Sequence, residues 1–139
     1  MSSAPEKRDP RYLFVYGTLR SAFRNPYAQY LRDHAKLVGQ ACVRGCLYNL
    51  GRYPGLRPPR TPDDWVTGEL YRLAEATTVL PLLDRYEGPC FRRVVRVVWR
   101  KGGPRMEVWV YEYLRPVAEM RRVVSGDFLK RGSGAGLYS

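Results

Sequence analysis

Apolar positions along this chain come in short runs separated by glycine, proline and charge, and their spacing alternates between strand and helix periods. Tyr12 to Tyr16 is continuously apolar, as in a strand buried on both faces. Asn25-Pro26 reads as a helix start, with Asn as cap, Pro at the first helical position and a short helix over Tyr27 to about His34. Leu37 to Leu50 is strand-like and broken near Gly39 and Gly45, glycines that suit bulges or the bends of a curved sheet. Residues 51 to 62, with Pro54, Pro58, Pro59 and Pro62, read as an irregular loop, and Trp65 to Leu73 returns as a strand. Thr78 is the expected cap of a second helix over about Val79 to Tyr86, which places Pro81 in its first turn, where a missing N–H is tolerated. Phe91 to Arg100 and Arg105 to Leu114 flank Lys101-Gly102-Gly103-Pro104 and read as an antiparallel hairpin.

Alternation in the last strand sets Trp109, Tyr111 and Tyr113 on one face and Met106, Val108 and Val110 on the other. Both faces are partly apolar. A sheet covered on both sides, with bend-permitting glycines and two or three short helices, predicts an α+β fold built on a strongly curled sheet or small barrel. No internal repeat interrupts a single domain over residues 12–131, with 1–11 and 132–139 as flexible ends.

The 139 residues, 45% hydrophobic and 13% aromatic, are enough for one domain to bury a core without disulfides or a metal. No stretch reaches the roughly 18 uninterrupted apolar residues of a membrane span, and Met1 to Pro10 is polar, so the cytoplasm is the expected location. Cys42, Cys46 and Cys90 leave one thiol over in any disulfide scheme and do not have zinc spacing. Cys42 and Cys46, an even number apart, read as small buried hydrophobes on one strand face. The lone histidine, His34, sits in a helix among charges, which leaves a Ser-His-Asp or Cys-His site without support.

A net charge of +11 would favour nucleic acid through counterion release. The basic residues are nevertheless spread from Lys7 to Arg131 without a long block, and the densest groups, Arg92-Arg93 with Arg96 and Arg121-Arg122, lie in or beside periodic segments. Attraction of small anions fits this distribution better than a nucleic-acid surface, so no nucleic-acid partner is expected.

Chemistry concentrates at two junctions. In Leu13-Phe14-Val15-Tyr16-Gly17-Thr18-Leu19-Arg20 an apolar strand stops at a glycine. Gly17 allows backbone angles closed to other residues, so the N–H groups of Gly17, Thr18 and Leu19 can converge on one anionic or carbonyl oxygen; a plain tight turn is the alternative. In Leu82-Leu83-Asp84-Arg85-Tyr86-Glu87-Gly88 an acid beside a glycine closes a helical segment, either as an exposed turn carboxylate or facing a cavity.

Together these motifs resemble the gamma-glutamylcyclotransferase-like family: Tyr16-Gly17-Thr18-Leu19, then Leu83-Asp84-x-x-Glu87-Gly88, then Arg93 six positions after the Glu, and the late pair Tyr111 and Tyr113. Further similarities fall in the family's order, at Leu47-Tyr48, Gly51-Arg52-Tyr53-Pro54-Gly55, Gly68-Glu69-Leu70-Tyr71 and Ser125-Gly126-Asp127-Phe128-Leu129. The resemblance implies a mixed barrel with flanking helices and a cavity at one end. It implies Glu87 as acid-base residue, with Tyr16, Gly17, Thr18, Leu19 and Tyr113 contacting a small gamma-glutamyl substrate. The implied reaction forms 5-oxoproline and needs no cofactor. A binding protein of the same fold without turnover, or a basic nucleic-acid-binding barrel, are the alternatives. Phe91 departs from the pattern, since the family commonly carries Tyr four residues after the Glu.

Overall fold

A computed structural model of the chain describes residues 11–117 and 120–130. The ends expected to be flexible lie outside the described residues, apart from Arg11, whose carbonyl accepts from the Leu73 N–H. In chain order the elements are β1 (Tyr12–Val15), α1 (Pro26–His34), β2 (Ala35–Arg44), β3 (Cys46–Asn49), β4 (Pro54–Arg57), β5 (Trp65–Leu73), α2 (Ala76–Glu87), β6 (Phe91–Arg100), β7 (Arg105–Tyr113) and β8 (Arg121–Arg122), followed by a 3-10 turn at Phe128–Lys130.

The curled sheet closes into a five-stranded mixed barrel in the order β1-β5-β2-β6-β7. Its pairings are antiparallel except the closing one, where β1 meets β7 in parallel at Leu13 and Trp109. The alternation seen in the sequence sorts side chains between two cores. Phe14, Val43, Val66, Leu70, Val98, Val108 and Val110 pack together inside the barrel. Leu13, Val15, Tyr71 and Tyr111 point the other way and pack with Leu31 of α1 and Val79, Leu80 and Leu83 of α2. Trp109 and Tyr113 are partly buried against this second core.

The strand expected over Leu37 to Leu50 is divided between two sheets. Gly39, at φ +148°, carries a register shift against β5. At Gly45 a Cβ would lie 2.6 Å from Leu56 Cδ1 and 2.9 Å from the Arg57 carbonyl oxygen, so the chain turns this corner only without a side chain. Beyond the corner β3 joins a second antiparallel sheet, β4-β3-β8. Cys42 and Cys46 therefore do not share a strand face. Cys42 lies half-buried beside Thr67, while Cys46 is buried and donates to Asp64.

Two local expectations are corrected. Residues 51 to 62 are not wholly irregular, because Pro54–Arg57 pairs with β3 as β4, whose leading Pro needs no N–H from the ladder. The second helix starts at Ala76, with Glu75 rather than Thr78 at its N-cap, and Pro81 stands in its second turn. An interior proline costs about 3 kcal/mol, whereas burying Val79, Leu80 and Leu83 contributes about 1.5–3 kcal/mol each, so packing outweighs the break. The first helix forms as read, its Asn25 side chain accepting from the Ala28 N–H at 2.8 Å. Among the described residues, no helix is long and apolar enough to cross a membrane.

Candidate active site

The ends of several elements meet at a cleft of about 140 Å³. Its walls come from Phe14 to Leu19 at the end of β1, Tyr53-Pro54 at the start of β4, Tyr86-Glu87 at the end of α2, Phe91 of β6 and Tyr111 of β7. Of the six residues expected to form a site, five line this cleft: Glu87, Tyr16, Gly17, Thr18 and Leu19. Tyr113 stands behind the wall, its ring 5.3 Å from that of Phe91, its cross-strand partner.

The loop is held from several sides. The Tyr16 hydroxyl donates to the Tyr111 carbonyl at 2.6 Å and accepts from the Leu56 N–H at 3.1 Å, so it ties β1 to both sheets. Burial, with Glu87 nearby, keeps that phenol protonated. Thr18 Oγ1 shares a 2.8 Å hydrogen bond with the Tyr86 hydroxyl, and the Thr18 carbonyl accepts from Asn25 Nδ2. One Asn side chain thus caps α1 and fixes the loop. The Arg20 N–H donates to the Gly17 carbonyl, but among the described residues no turn or side-chain hydrogen bond takes up the N–H groups of Gly17, Thr18 and Leu19.

Gly17 is required for a different reason from the one expected. Its φ is not positive; instead Pro54 Cδ and Cγ lie 2.7 Å from where a Cβ would stand. Behind the loop Arg20, 2% exposed, is buried between two acids. Its Nη1 donates to Asp127 Oδ1 at 2.8 Å, and its Nε lies 3.5 Å from Glu69 Oε2. Glu69 also accepts from the Ser21 N–H at 2.7 Å, and Asp127 from the Leu129 N–H at 3.0 Å. The pair therefore draws the Ser125-Gly126-Asp127-Phe128 turn against the loop.

Glu87 is the last residue of α2. Gly88 follows at φ +82°, ψ −177°, a conformation essentially confined to glycine, and redirects the chain into β6. Glu87 retains some exposure, yet loss of hydration at its carboxyl, aided by the charge of Asp84, pushes its pKa up to about 7. Asp84 behaves oppositely. Burial works against its charge, but Arg93 and Tyr111 outweigh burial and hold it below the usual carboxylate range. Arg93 donates to both Asp84 oxygens, at 2.8 and 3.0 Å, and the Tyr111 hydroxyl donates to Oδ1 at 2.6 Å. The guanidinium also lies 4.2 Å from the Trp109 ring centroid, a cation–π contact that fixes its plane.

Two carboxylates one turn apart are thus driven in opposite directions, the pattern that separates a permanent charge from a proton carrier. Asp84, Arg93 and Tyr111 belong to motifs visible in the sequence, and the three-residue offset of Asp84 and Glu87 is the signal that sets them on one helix face. Tyr53 belongs to the Gly51-to-Gly55 run and Tyr86 to the Leu82-to-Gly88 run, but neither carried a signal that it would line the cleft. Tyr86 enters the wall by stacking on Tyr27, with ring centroids 4.3 Å apart.

The basic groups noted in the sequence are largely engaged elsewhere. Arg93 pairs with Asp84, Arg96 with Glu112 and Arg122 with Asp64. His34 is exposed and stacks on Tyr30.

Comparison with known proteins agrees with this geometry. Residues 13–130 match the family described as "Gamma-glutamyl cyclotransferase, AIG2-like". The gamma-glutamylcyclotransferase family protein YtfP of Escherichia coli (strain K12) is 34% identical over 121 residues, covering 86% of this chain and 96% of that protein. The solution structure of Escherichia coli ytfP superposes with a TM-score of 0.62 at 31% identity, over 87% of this chain and 98% of that one. The Bacillus subtilis YkqA crystal structure gives a TM-score of 0.72 at 22% identity, a likeness of fold alone; it covers 91% of this chain, which spans only 42% of that protein. With nearly all its described length matched and the cleft built from the motif residues, this chain belongs to the gamma-glutamyl cyclotransferase, AIG2-like family.

Proposed function

We propose that the protein is a gamma-glutamyl cyclotransferase, and that Glu87 is its acid-base residue. The observation that carries this reading is the Glu87 carboxyl, pushed up to about 7 in the same cleft as the loop of Gly17 to Leu19. A carboxyl titrating near neutrality can both accept and return a proton, and such help is typically worth about 10²- to 10⁴-fold.

The substrate is a gamma-glutamyl amide. Glu87 takes a proton from the alpha-ammonium, exposing the nitrogen lone pair. That nitrogen attacks the gamma-carbonyl carbon of the same molecule and a five-membered lactam closes. The gamma C–N bond then breaks: the proton held by Glu87 passes to the departing nitrogen, the second proton shed by the ring nitrogen as the lactam forms follows through the same carboxylate, and the products are 5-oxoproline and the amine as its ammonium ion. Neither water nor redox chemistry enters the balance.

Attack within one molecule needs the chain folded for it, and positioning of this kind supplies several kcal/mol. The loop N–H groups take that role, holding the alpha-carboxylate or the oxyanion that forms at the gamma-carbon. Tyr16 and Leu19 shape the loop, Thr18 locks it to Tyr86, and Tyr113 acts by backing Phe91. The partner is a small molecule rather than a nucleic acid, a reading supported by the ion pairs that absorb Arg93, Arg96 and Arg122. The three cysteines are free thiols, in keeping with the reducing cytoplasm.

Incubation with a panel of gamma-glutamyl compounds, read for 5-oxoproline by mass, tests the proposal. Release that disappears in Glu87→Gln is expected. No release from any compound would remove the activity, and release that survives in Glu87→Gln would remove the assigned base.

A further inference from the structure

We infer that the leaving half of the substrate is an apolar amine bearing a ring and no carboxylate, selected by a wall formed by Tyr53 and Phe91. The inference rests on the gamma-glutamyl reading above and adds the class of substrate.

The glutamyl head is the same in every candidate substrate, so selection falls to the part of the cleft that receives the departing amine. With the head against the loop of Gly17 to Leu19, where Leu19 is buried, the amine lies toward the open side. Tyr53, 45% exposed, marks that mouth. Its ring meets Phe91 edge-on, with centroids 5.9 Å apart and planes at 60°, and Phe91 leans in turn on Tyr113. Tyr53 and Phe91 thus form a contiguous aromatic wall in the same cleft as Glu87. Phe91 contributes no hydroxyl, so that part of the wall offers packing and no hydrogen bond.

Charge points the same way. Among the described residues, no Lys, Arg or His lines the cleft, and its single carboxylate is Glu87. Arg93 is closed in the Asp84 pair and Arg57 donates to the Tyr113 carbonyl at 3.1 Å; neither reaches the wall. Arg52 is exposed and stands next to Tyr53 outside it. An amino acid or peptide as leaving group would bring a carboxylate against ring faces, whose quadrupole is negative, and toward an acid, with no cation in the wall to receive it. A ring-bearing amine instead gains edge or offset packing on Tyr53 and Phe91.

Three substrates separate the effects: gamma-L-glutamyl-phenethylamide, gamma-L-glutamyl-ethylamide, which lacks the ring, and gamma-L-glutamyl-L-phenylalanine, which adds only a carboxylate. The expected kcat/KM for the phenethylamide exceeds each of the others by about tenfold or more, mainly through KM. Tyr53→Ala should shrink its advantage over the ethylamide by about two- to tenfold, the range of one aromatic contact. Phe91→Tyr should narrow the gap to gamma-L-glutamyl-L-phenylalanine by offering a hydrogen-bond donor. Turnover of gamma-L-glutamyl-L-phenylalanine as fast as the phenethylamide overturns the inference while leaving the cyclotransferase reading intact, as does a preference for it that Arg52→Ala abolishes. Equal losses on ring-bearing and ringless amides in Tyr53→Ala also overturn it. Absence of 5-oxoproline from all three and from the wider panel brings down both readings together.

Discussion

Asp84 and Glu87 stand three residues apart on the last turn of α2 and titrate in opposite directions, the first held charged by Arg93 and Tyr111, the second raised to about 7. The helix supplies the offset, but the divergence comes from neighbours on β6 and β7. Asp84 is locked into a bidentate pair, while the Glu87 carboxyl has no hydrogen-bond partner among the described residues. Its proton is therefore free to move.

Glu87→Gln should cut 5-oxoproline formation by about 10²- to 10⁴-fold while the melting curve at acidic pH stays matched to wild type. The amide keeps the shape but cannot take the proton. Quantified product and thermal melts on the same preparations check this, and activity within a few-fold of wild type would rule Glu87 out as the base.

The same residue predicts a pH dependence of stability. Its folded pKa, about 7, lies above its ordinary 4.5, so the folded state binds the proton more tightly. Its contribution is complete below about pH 4.5 and is lost as pH rises to about 7, on the order of 3 kcal/mol at most. Urea unfolding at pH 5 and pH 8 should therefore show Glu87→Gln gaining on wild type at the higher pH. A constant difference across that window would contradict the raised pKa.

Asp84→Asn should move the acidic limb of the pH–rate profile downward. The substitution removes the Asp84 charge that helps raise Glu87. A profile of kcat/KM against pH reads the midpoint directly. An unchanged midpoint would leave burial as the whole cause.

Gly17→Val should damage binding far more than Thr18→Ser, because a Cβ at Gly17 meets the Pro54 ring at 2.7 Å whereas Ser retains the hydroxyl that reaches Tyr86. Overpacking of this kind costs about 1–3 kcal/mol. Pro54→Ala placed behind Gly17→Ala should recover part of the loss, a coupling that a double-mutant cycle on substrate KM and melting temperature measures. Independent, additive effects would mean that the contact is not what excludes a side chain.

Asp127→Ala should destabilise the fold by about 3–5 kcal/mol, since it leaves Arg20 buried with only the longer contact to Glu69. Denaturant unfolding gives the value. A loss under about 1 kcal/mol would show that Glu69 alone satisfies the guanidinium.

The α+β class, the β6-β7 hairpin, the Asn25-Pro26 helix start and the breaks at Gly39 and Gly45 were all legible along the chain, because each rests on local sequence pattern. The errors lie where distant packing overrides local rules. Pro81 looked confined to a first turn until the burial of Val79, Leu80 and Leu83 carried the helix back to Ala76. Pro54–Arg57 looked irregular until β3 offered it a partner.

The candidate site divides in the same way. The family resemblance carried by the motifs singled out Glu87 and the run Tyr16 to Leu19, since a chain carries its motifs wherever it folds. The tertiary structure decided that these residues share one cleft, that Tyr113 stands behind Phe91, that Gly17 is excluded from bearing a side chain by Pro54, and that Asp84 and Glu87 part in charge. These are matters of distance and hydration between residues far apart in sequence, and barrel closure is what brings such residues together.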